Sequence, residues 1–384
     1  MHYFSQVLPE LPIDDWVQQA RSTASSEVTE VLRQKYPKDL KDFAVLISSA
    51  AEPFVETLAH RSQQETQKRF GKTIQLFAPL YLSNECINIC RYCGFSRNNK
   101  IPRITLGLDQ VAANIERLVH QGFRSLLLVA GEHPKYVSNG YMEACIHQCL
   151  ESIPSVLIEI APMEVEGYQP LAAAGSEGVV VYQETYHHPT YRELHTAGPK
   201  KNYSWRLDSP ERAYAAGFRK LGIGVLFGLY DWRQEAIALA AHARYLLKHC
   251  WRAQLNLSLL RLRPAAGGFS SNPQFQLSDR NLVQLICALR LLLPTVGIVL
   301  STRESPNLRE HLIPLGITTM SAGSSTEPGG YSHFDEATWQ PRRTQPGEQF
   351  HISDERSPAS IAALIQKKGY EPIWKDFDQV LVKN

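Results

Sequence analysis

The 384-residue sequence predicts an α/β fold, namely a (βα)8 barrel of the TIM type with additional segments at both ends. Short apolar runs rich in β-branched residues alternate with longer amphipathic segments, which is typical of a parallel sheet covered by helices on both faces. Eight such runs can be counted, the number needed to close a barrel. The alternative is an open doubly wound sheet, but the glycine-rich phosphate loop that usually follows its first strand is missing.

The elements alternate regularly along the chain. Residues 1–75 are predicted to be helical from apolar residues at i, i+3 and i+4 spacing. Asp109, Ser209 and Ser278 stand where helix starts require capping residues. The predicted strands cover 76–82, 125–130, 155–161, 178–183, 222–228, 254–262, 296–301 and 317–321. The predicted helices between them cover 108–120, 141–152, 165–174, 209–220, 232–249, 278–293 and 306–314.

These elements divide the chain into three parts. We expect a helical N-terminal extension over 1–75, the barrel over 76–324, and a C-terminal extension over 325–384 that packs on the barrel. Residues 324–349 are rich in Pro, Gly and charge, and are predicted to form a long loop that leads to a last helix near 358–368.

Composition excludes several classes of function. Lys and Arg total 40 against 38 Asp and Glu, a net charge of +2 that argues against nucleic-acid binding. No run of 18 uncharged apolar residues is present, so a membrane span is not expected. The N-terminus shows no basic region followed by an apolar core, so no secretory signal is expected. The sequence therefore predicts a cytoplasmic enzyme.

Three of the seven cysteines, Cys86, Cys90 and Cys93, lie within eight residues. An odd number of cysteines without a secretory signal argues against a disulfide framework. Three thiolates at this spacing fit an iron–sulfur cluster with one iron left open. A zinc site would need a fourth ligand that no nearby motif supplies, and a chance group of buried thiols is the remaining alternative.

Polar residues cluster where the barrel strands end, which is where barrels place active sites. Glu159 interrupts an apolar strand, and such a carboxylate is costly unless it is paired or functional. Arg303 could bind a carboxylate, or Glu304 could neutralise it. The strand-end segments are 131–134, 183–187, 261–264, 301–304 and 321–324.

Cys-x3-Cys-x2-Cys, with the aromatic Tyr92 before the last cysteine, resembles the signature of radical S-adenosylmethionine (SAM) enzymes. From about residue 40 to the end, the chain more closely resembles the 2-iminoacetate synthase family, the tyrosine lyases of thiamine thiazole formation. The segments that carry this resemblance are 81–84, 127–129, 131–133, 181–187, 261–264, 300–306, 328–331 and 374–376.

The resemblance implies a carbon–carbon lyase that splits the Cα–Cβ bond of L-tyrosine into 2-iminoacetate and 4-cresol. It implies a 4Fe–4S cluster, SAM and an external reductant, either NADPH-dependent or of the flavodoxin type. It also implies a thiazole synthase that receives the imine. A related tyrosine lyase of hydrogenase maturation carries a second cluster on C-terminal cysteines, but no cysteine follows Cys287 here.

The resemblance also assigns residues. The cluster ligands would be Cys86, Cys90 and Cys93, and the tyrosine carboxylate would bind Arg303 with help from Ser301 or Ser321. The expected SAM-binding residues are Tyr92, Gly131, Glu132, Glu159, Glu184 and Arg206. The sequence is also compatible with a radical SAM enzyme that has another aromatic substrate, with a non-catalytic iron–sulfur protein and with a zinc-stabilised binding module.

Overall fold

The computed structural model describes residues 3–335, 338–339 and 347–375, and a parallel β-barrel lies at its centre. The strands are β1 Thr73–Ser83, β2 Ile89–Cys90, β3 Ser125–Ala130, β4 Ser155–Glu159, β5 Gly178–Glu184, β6 His195–Ala197, β7 Lys220–Phe227, β8 Gln254–Arg261, β9 Gly297–Leu300, β10 Thr319–Ser321 and β11 Glu371–Ile373.

Eight of these strands close the barrel. They pair in parallel in the order β1, β3, β4, β5, β7, β8, β9 and β10, and β10 pairs back onto β1 with Leu76 opposite Met320. The predicted (βα)8 barrel is therefore confirmed, and the open doubly wound alternative is excluded. β11 adds a short parallel ladder to the beginning of β1, with Ile74 opposite Pro372.

The helices lie around this barrel or precede it. They are α1 Phe4–Val7, α2 Ile13–Ser22, α3 Ser25–Arg33, α4 Leu40–Leu46, α5 Val55–Phe70, α6 Leu108–His120, α7 Asn139–Leu150, α8 Val165–Ala173, α9 His188–Leu194, α10 Tyr203–Leu207, α11 Ser209–Ala215, α12 Trp232–His249, α13 Asp279–Leu292, α14 Pro306–Leu312 and α15 Pro358–Lys367. Among the described residues, no helix is both long and apolar enough to cross a membrane.

Two details of the predicted helices are wrong. The helix predicted over 209–220 ends at Ala215, because Gly217 turns the chain with φ = 115° before β7 begins. Of the three predicted caps, only Ser278 is confirmed, and its hydroxyl accepts from the Asn281 N–H at 3.1 Å. Asp109 and Ser209 lie inside α6 and α11, because the residues at the N-cap positions of these helices are Gly107 and Asp208.

The N-terminal helices pack against the outside of the barrel. The Phe4 N–H donates to the Glu211 carboxylate at 3.0 Å, and the Ser62 hydroxyl donates to the Leu315 carbonyl. Val28 and Leu58 are fully buried, as expected for apolar stripes that face a core. Residues 376–384, the last part of the predicted C-terminal extension, lie outside the described residues, and so does Asp376 of the segment 374–376.

Candidate active site

The carboxyl ends of the barrel strands enclose a cavity of about 870 Å³, its open mouth included. This cavity, here called the barrel cavity, brings together side chains from widely separated parts of the chain. Its polar lining residues include Tyr81, Tyr92, Cys93, Glu159, Tyr182, Glu184, Lys200, Arg263, Ser301, Thr302, Arg303, Ser321, Ser324, Thr326 and Gln349. The strand ends thus meet around one space, as the sequence predicted.

The cysteine loop follows β1 and forms part of the cavity wall. A short antiparallel ladder joins Cys90 to His195, and the Tyr92 hydroxyl hydrogen-bonds the His195 ring at 2.8 Å. The Asn88 side-chain amide lies 3.7 Å from the Cys86 sulfur and donates to the Glu132 carboxylate at 2.7 Å. These contacts fix the loop against the strands on both sides.

The three thiols lie close to one another and are mostly buried. Burial raises the pKa of each thiol, to about 11 for Cys93, while Lys200 opposes the increase. Cys86 and Cys93 both add to the raised pKa of Cys90. No set of three or more His, Cys, Asp or Glu side chains within the described ranges is already gathered for a metal ion. The loop therefore offers neighbouring soft ligands and a nearby cation, which fits a cluster that binds thiolates.

A second cavity of about 950 Å³ lies beside the cysteine loop. Glu132 and Arg206 form an ion pair of 2.8 Å in its wall, and the Arg206 Nε–H donates to the Tyr182 carbonyl at 2.8 Å. A side chain at Gly131 would place its Cβ 2.2 Å from the Glu85 carbonyl oxygen, so this position requires glycine. The structure thus brings together three of the residues predicted to bind SAM.

Lys200 connects the two cavities, because it lines both of them. Its ammonium group lies 2.7 Å from the Glu184 carboxylate. Burial acts to raise the pKa of Glu184, but Lys200 and Arg206 outweigh it and lower the pKa overall. Glu184 lies at a register shift of β5 and has φ = 72°, a conformation that costs a non-glycine residue free energy. Such backbone strain is typical of residues whose side chains are held in a fixed orientation at a functional site.

Arg303 follows β9 and reaches the barrel cavity without an acidic partner. Its guanidinium carbon lies 3.3 Å from the centre of the Phe350 ring. No carboxylate of the described residues lies within ion-pair distance of it, and Glu304 pairs with Arg261 instead. The expectation that Glu304 could neutralise Arg303 is therefore wrong. Burial lowers the pKa of Arg303, but an arginine so shifted still carries its charge near neutral pH.

Both serines predicted beside Arg303 line the barrel cavity. The Ser301 hydroxyl accepts from the Arg303 N–H at 3.3 Å, and the Ser321 hydroxyl accepts from the Thr302 N–H at 3.1 Å. A hydroxyl that accepts from the backbone still has its own hydrogen to donate. The two serines can therefore position the arginine segment and still offer donors to an anion.

Glu159 ends β4 and lines the same cavity. Within the part of the chain that the structure describes, its carboxylate has no hydrogen-bond or ion-pair partner. Burial and the nearby Glu184 carboxylate raise the pKa of Glu159 to about 7. Of the two roles that the sequence left open for Glu159, a buried pair or a functional group, the pair is therefore not formed among the described residues, and Glu159 lines the cavity.

Sequence reasoning missed several cavity residues. Lys200 stands in a polar stretch without periodicity, so no pattern marks it. Tyr81 and Tyr182 read as ordinary residues of apolar strands. Gln349 is the last residue of the loop predicted over 324–349, and Phe350 follows it. Both residues line the barrel cavity only because the folded chain brings this part of the sequence back to the strand ends. Their distance along the chain from the strand ends explains the omission.

Comparisons with known proteins agree with this geometry. Residues 80–240 match the family model of the Radical SAM superfamily, and residues 258–371 match the Biotin and Thiamin Synthesis associated domain. The 2-iminoacetate synthase of Escherichia coli is 40% identical over 99% of this chain and 98% of its own length, and that of Salmonella typhimurium is 40% identical over 88% of each. The FeFe-hydrogenase maturase HydG from Carboxydothermus hydrogenoformans superposes with a TM-score of 0.88 at 32% identity, over 98% of this chain and 86% of that one.

Proposed function

The chain belongs to the family of 2-iminoacetate synthases, and we propose that its barrel cavity is where the family's reaction takes place. The enzyme is a radical SAM lyase that cleaves the Cα–Cβ bond of L-tyrosine and releases 2-iminoacetate and 4-cresol. One observation carries the proposed location. The cavity is lined both by an arginine without a carboxylate partner among the described residues and by a cysteine of the three-thiol loop. An amino-acid substrate and a cluster thus have places in one enclosed space.

Cys86, Cys90 and Cys93 are proposed to hold the 4Fe–4S cluster. When bound, the cluster and SAM together supply the 5′-deoxyadenosyl radical that starts the reaction. The chain contributes by fixing the loop through the β2–β6 ladder and by placing the Lys200 cation near the thiols, where it favours the thiolate form. The cofactor performs the radical chemistry, and the protein positions its reactants.

The proposed SAM site spans the second cavity and the inner edge of the barrel cavity. Gly131 and Glu132 would receive the methionine amine, because a carboxylate and close backbone suit an ammonium group. Arg206 would bind the methionine carboxylate, and its pairing with Glu132 already orients it. Tyr92, Glu159 and Glu184 are proposed to contact the adenine and ribose of SAM. Lys200 is proposed as a further SAM-binding residue, because it lines both cavities.

The tyrosine carboxylate is proposed to bind Arg303. A guanidinium presents a planar fork of donors that matches a carboxylate in two hydrogen bonds. The Phe350 ring lies against the guanidinium, and Ser301 and Ser321 add hydroxyl donors. The apolar walls, which include Leu127 and Leu260, exclude water from the radical intermediates.

The enzyme is also proposed to depend on other proteins for its electron and for the use of its product. An external reductant, NADPH-dependent or of the flavodoxin type, would deliver the electron. A thiazole synthase would receive the imine, which water would otherwise hydrolyse. The cytoplasm is the proposed location, and the division into extensions 1–75 and 325–384 around a barrel of 76–324 is proposed for the domains.

Anaerobic reconstitution with iron and sulfide, followed by reductant, SAM and tyrosine, tests the proposal. We expect 5′-deoxyadenosine and 4-cresol in equal amounts. Cys90→Ala should remove both products, whereas Cys250→Ala, a buried cysteine of the core, should retain them. Deoxyadenosine without cresol would contradict the proposed substrate. Full turnover in Cys90→Ala would contradict the proposed cluster ligand.

A further inference from the structure

Residues 347–351, here called the C-terminal strap, cross the barrel mouth. Three backbone hydrogen bonds attach the strap to separate loops. The Gln349 N–H donates to the Thr326 carbonyl at 2.9 Å, and the His351 N–H donates to the Pro264 carbonyl at 2.9 Å. The Gly94 N–H, directly after the last cysteine of the loop, donates to the Gln349 carbonyl at 3.0 Å. The strap is therefore joined to the cysteine loop as well as to the barrel.

The contact at Gly94 leaves no room for a side chain between the cysteine loop and the strap. A Cβ at this position would lie 2.5 Å from the carbonyl oxygens of both Glu348 and Gln349. Any side chain at Gly94 would push the strap away from the loop. The glycine after Cys93 thus permits the hydrogen bond that places Gln349 over the cysteine.

The Gln349 side chain bridges the cavity wall and the cysteine loop. Its carbonyl oxygen accepts from the Tyr81 hydroxyl at 2.7 Å. Its amide nitrogen lies 4.0 Å from the Cys93 sulfur, within the range of an N–H···S hydrogen bond. Because Tyr81 fixes the carbonyl end, the amide end remains directed at the sulfur.

From these contacts we propose that Gln349 is a positioning residue that donates a hydrogen bond to the Cys93 sulfur and thereby makes the bound cluster easier to reduce. The inference rests on the proposed function only in that Cys93 is a cluster ligand. A donor to a ligand sulfur stabilises the extra negative charge of the reduced cluster, so it raises the reduction potential. No residue that binds tyrosine or SAM is involved in this effect.

Potentiometric titration of the reconstituted protein, followed by the EPR signal of the reduced cluster, tests the inference. Gln349→Leu removes the donor at similar size, and its potential should be more negative than that of the wild type. Gln349→Glu replaces the donor by a negative charge, so its potential should be more negative still. Tyr81→Phe keeps the amide but releases its carbonyl end, so its potential should lie between those of the wild type and Gln349→Leu.

Gln366→Leu, the same exchange on the exposed face of α15, is the matched control and should keep the wild-type potential. Iron and sulfide contents show that each protein carries its cluster. Equal potentials in the wild type, Gln349→Leu and Tyr81→Phe would overturn the inference, whatever Gln349→Glu does. A wild type that binds no cluster would contradict the proposed function instead, so the two failures are distinguishable.

Discussion

Two groups of charged residues beside β9 differ in what they contact. Arg309 and Asp354 are both fully buried and form an ion pair, Arg356 also pairs with Asp354, and Arg261 pairs with Glu304. Arg303 directly precedes Glu304 in the sequence, but its guanidinium lines the barrel cavity and lies over the Phe350 ring. The charges of the first group are neutralised within the protein, whereas the charge of Arg303 is available to an anionic ligand in the cavity.

The comparison shows how a site can be recognised from electrostatics. Buried charges lose hydration and normally recover the cost by pairing. A half-buried charge that the fold leaves unpaired, as at Arg303 and Glu159, indicates that a ligand completes the pairing. Charge type alone does not distinguish the groups, because Arg261 and Arg303 are both arginines and only Arg261 has a carboxylate partner among the described residues.

The largest loss of stability is expected when the buried ion pair of Arg309 and Asp354 is broken. Asp354→Asn should lower the free energy of unfolding by about 3–5 kcal/mol, because it leaves the buried Arg309 cation uncompensated. Denaturant unfolding at pH 7 measures this change. Glu310→Gln removes a partly exposed partner of Arg356 and should cost about 1 kcal/mol or less. Equal losses in both variants would contradict the distinction between the groups.

Arg303→Met should affect catalysis rather than folding. We expect kcat/KM for tyrosine to fall about 100-fold, the effect of removing one partner of a charge-assisted pair. The free energy of unfolding should be unchanged or higher, since an unpaired buried cation is lost. Steady-state kinetics and denaturant unfolding of the same preparation measure both. Arg261→Met is the matched control, and there we expect the loss of stability instead.

Glu159→Gln removes the unpaired carboxylate of the barrel cavity. Because the pKa of Glu159 is raised to about 7, its stabilising contribution is present below the unfolded value near 4.5 and is lost as pH rises through 7. The cofactor-free variant should match the wild type at pH 5 and exceed it by about 1–2 kcal/mol at pH 8, after allowance for solvent in the cavity. Denaturant unfolding at the two pH values checks this, and a gain that is larger at pH 5 would refute it.

The smallest effect is expected at Ser321. Its hydroxyl accepts from the Thr302 N–H, so Ser321→Ala should cost about 1 kcal/mol of stability. The KM for tyrosine should rise a few-fold, because the segment before Arg303 is less firmly held. Thermal unfolding and kinetics measure these changes, and Ser152→Ala, at an exposed turn after α7, serves as control. An unchanged KM would remove Ser321 from the proposed substrate site.

Much of the fold could be predicted from local patterns, because each barrel strand and its helix carry their own apolar periodicity. Cys86, Glu132 and Arg303 could be placed because they follow directly on predicted strands. Lys200 and Gln349 could not, because their positions depend on contacts between segments far apart in sequence, with Asn88 and Tyr81 respectively. The pairing of Glu304 with Arg261 was equally hidden, since it joins the ends of two neighbouring strands.

If Arg303 binds the carboxylate of tyrosine, removal of that carboxylate from the ligand should weaken binding only when Arg303 is present, and tyramine is the ligand that separates the two cases. Tyramine keeps the phenol and the amine of tyrosine but lacks the carboxylate. Calorimetric titration of the cluster-loaded, SAM-bound protein should show tyrosine binding about 100-fold more tightly than tyramine in the wild type, and equally in Arg303→Met. A preference for tyrosine that survives in Arg303→Met would contradict the account.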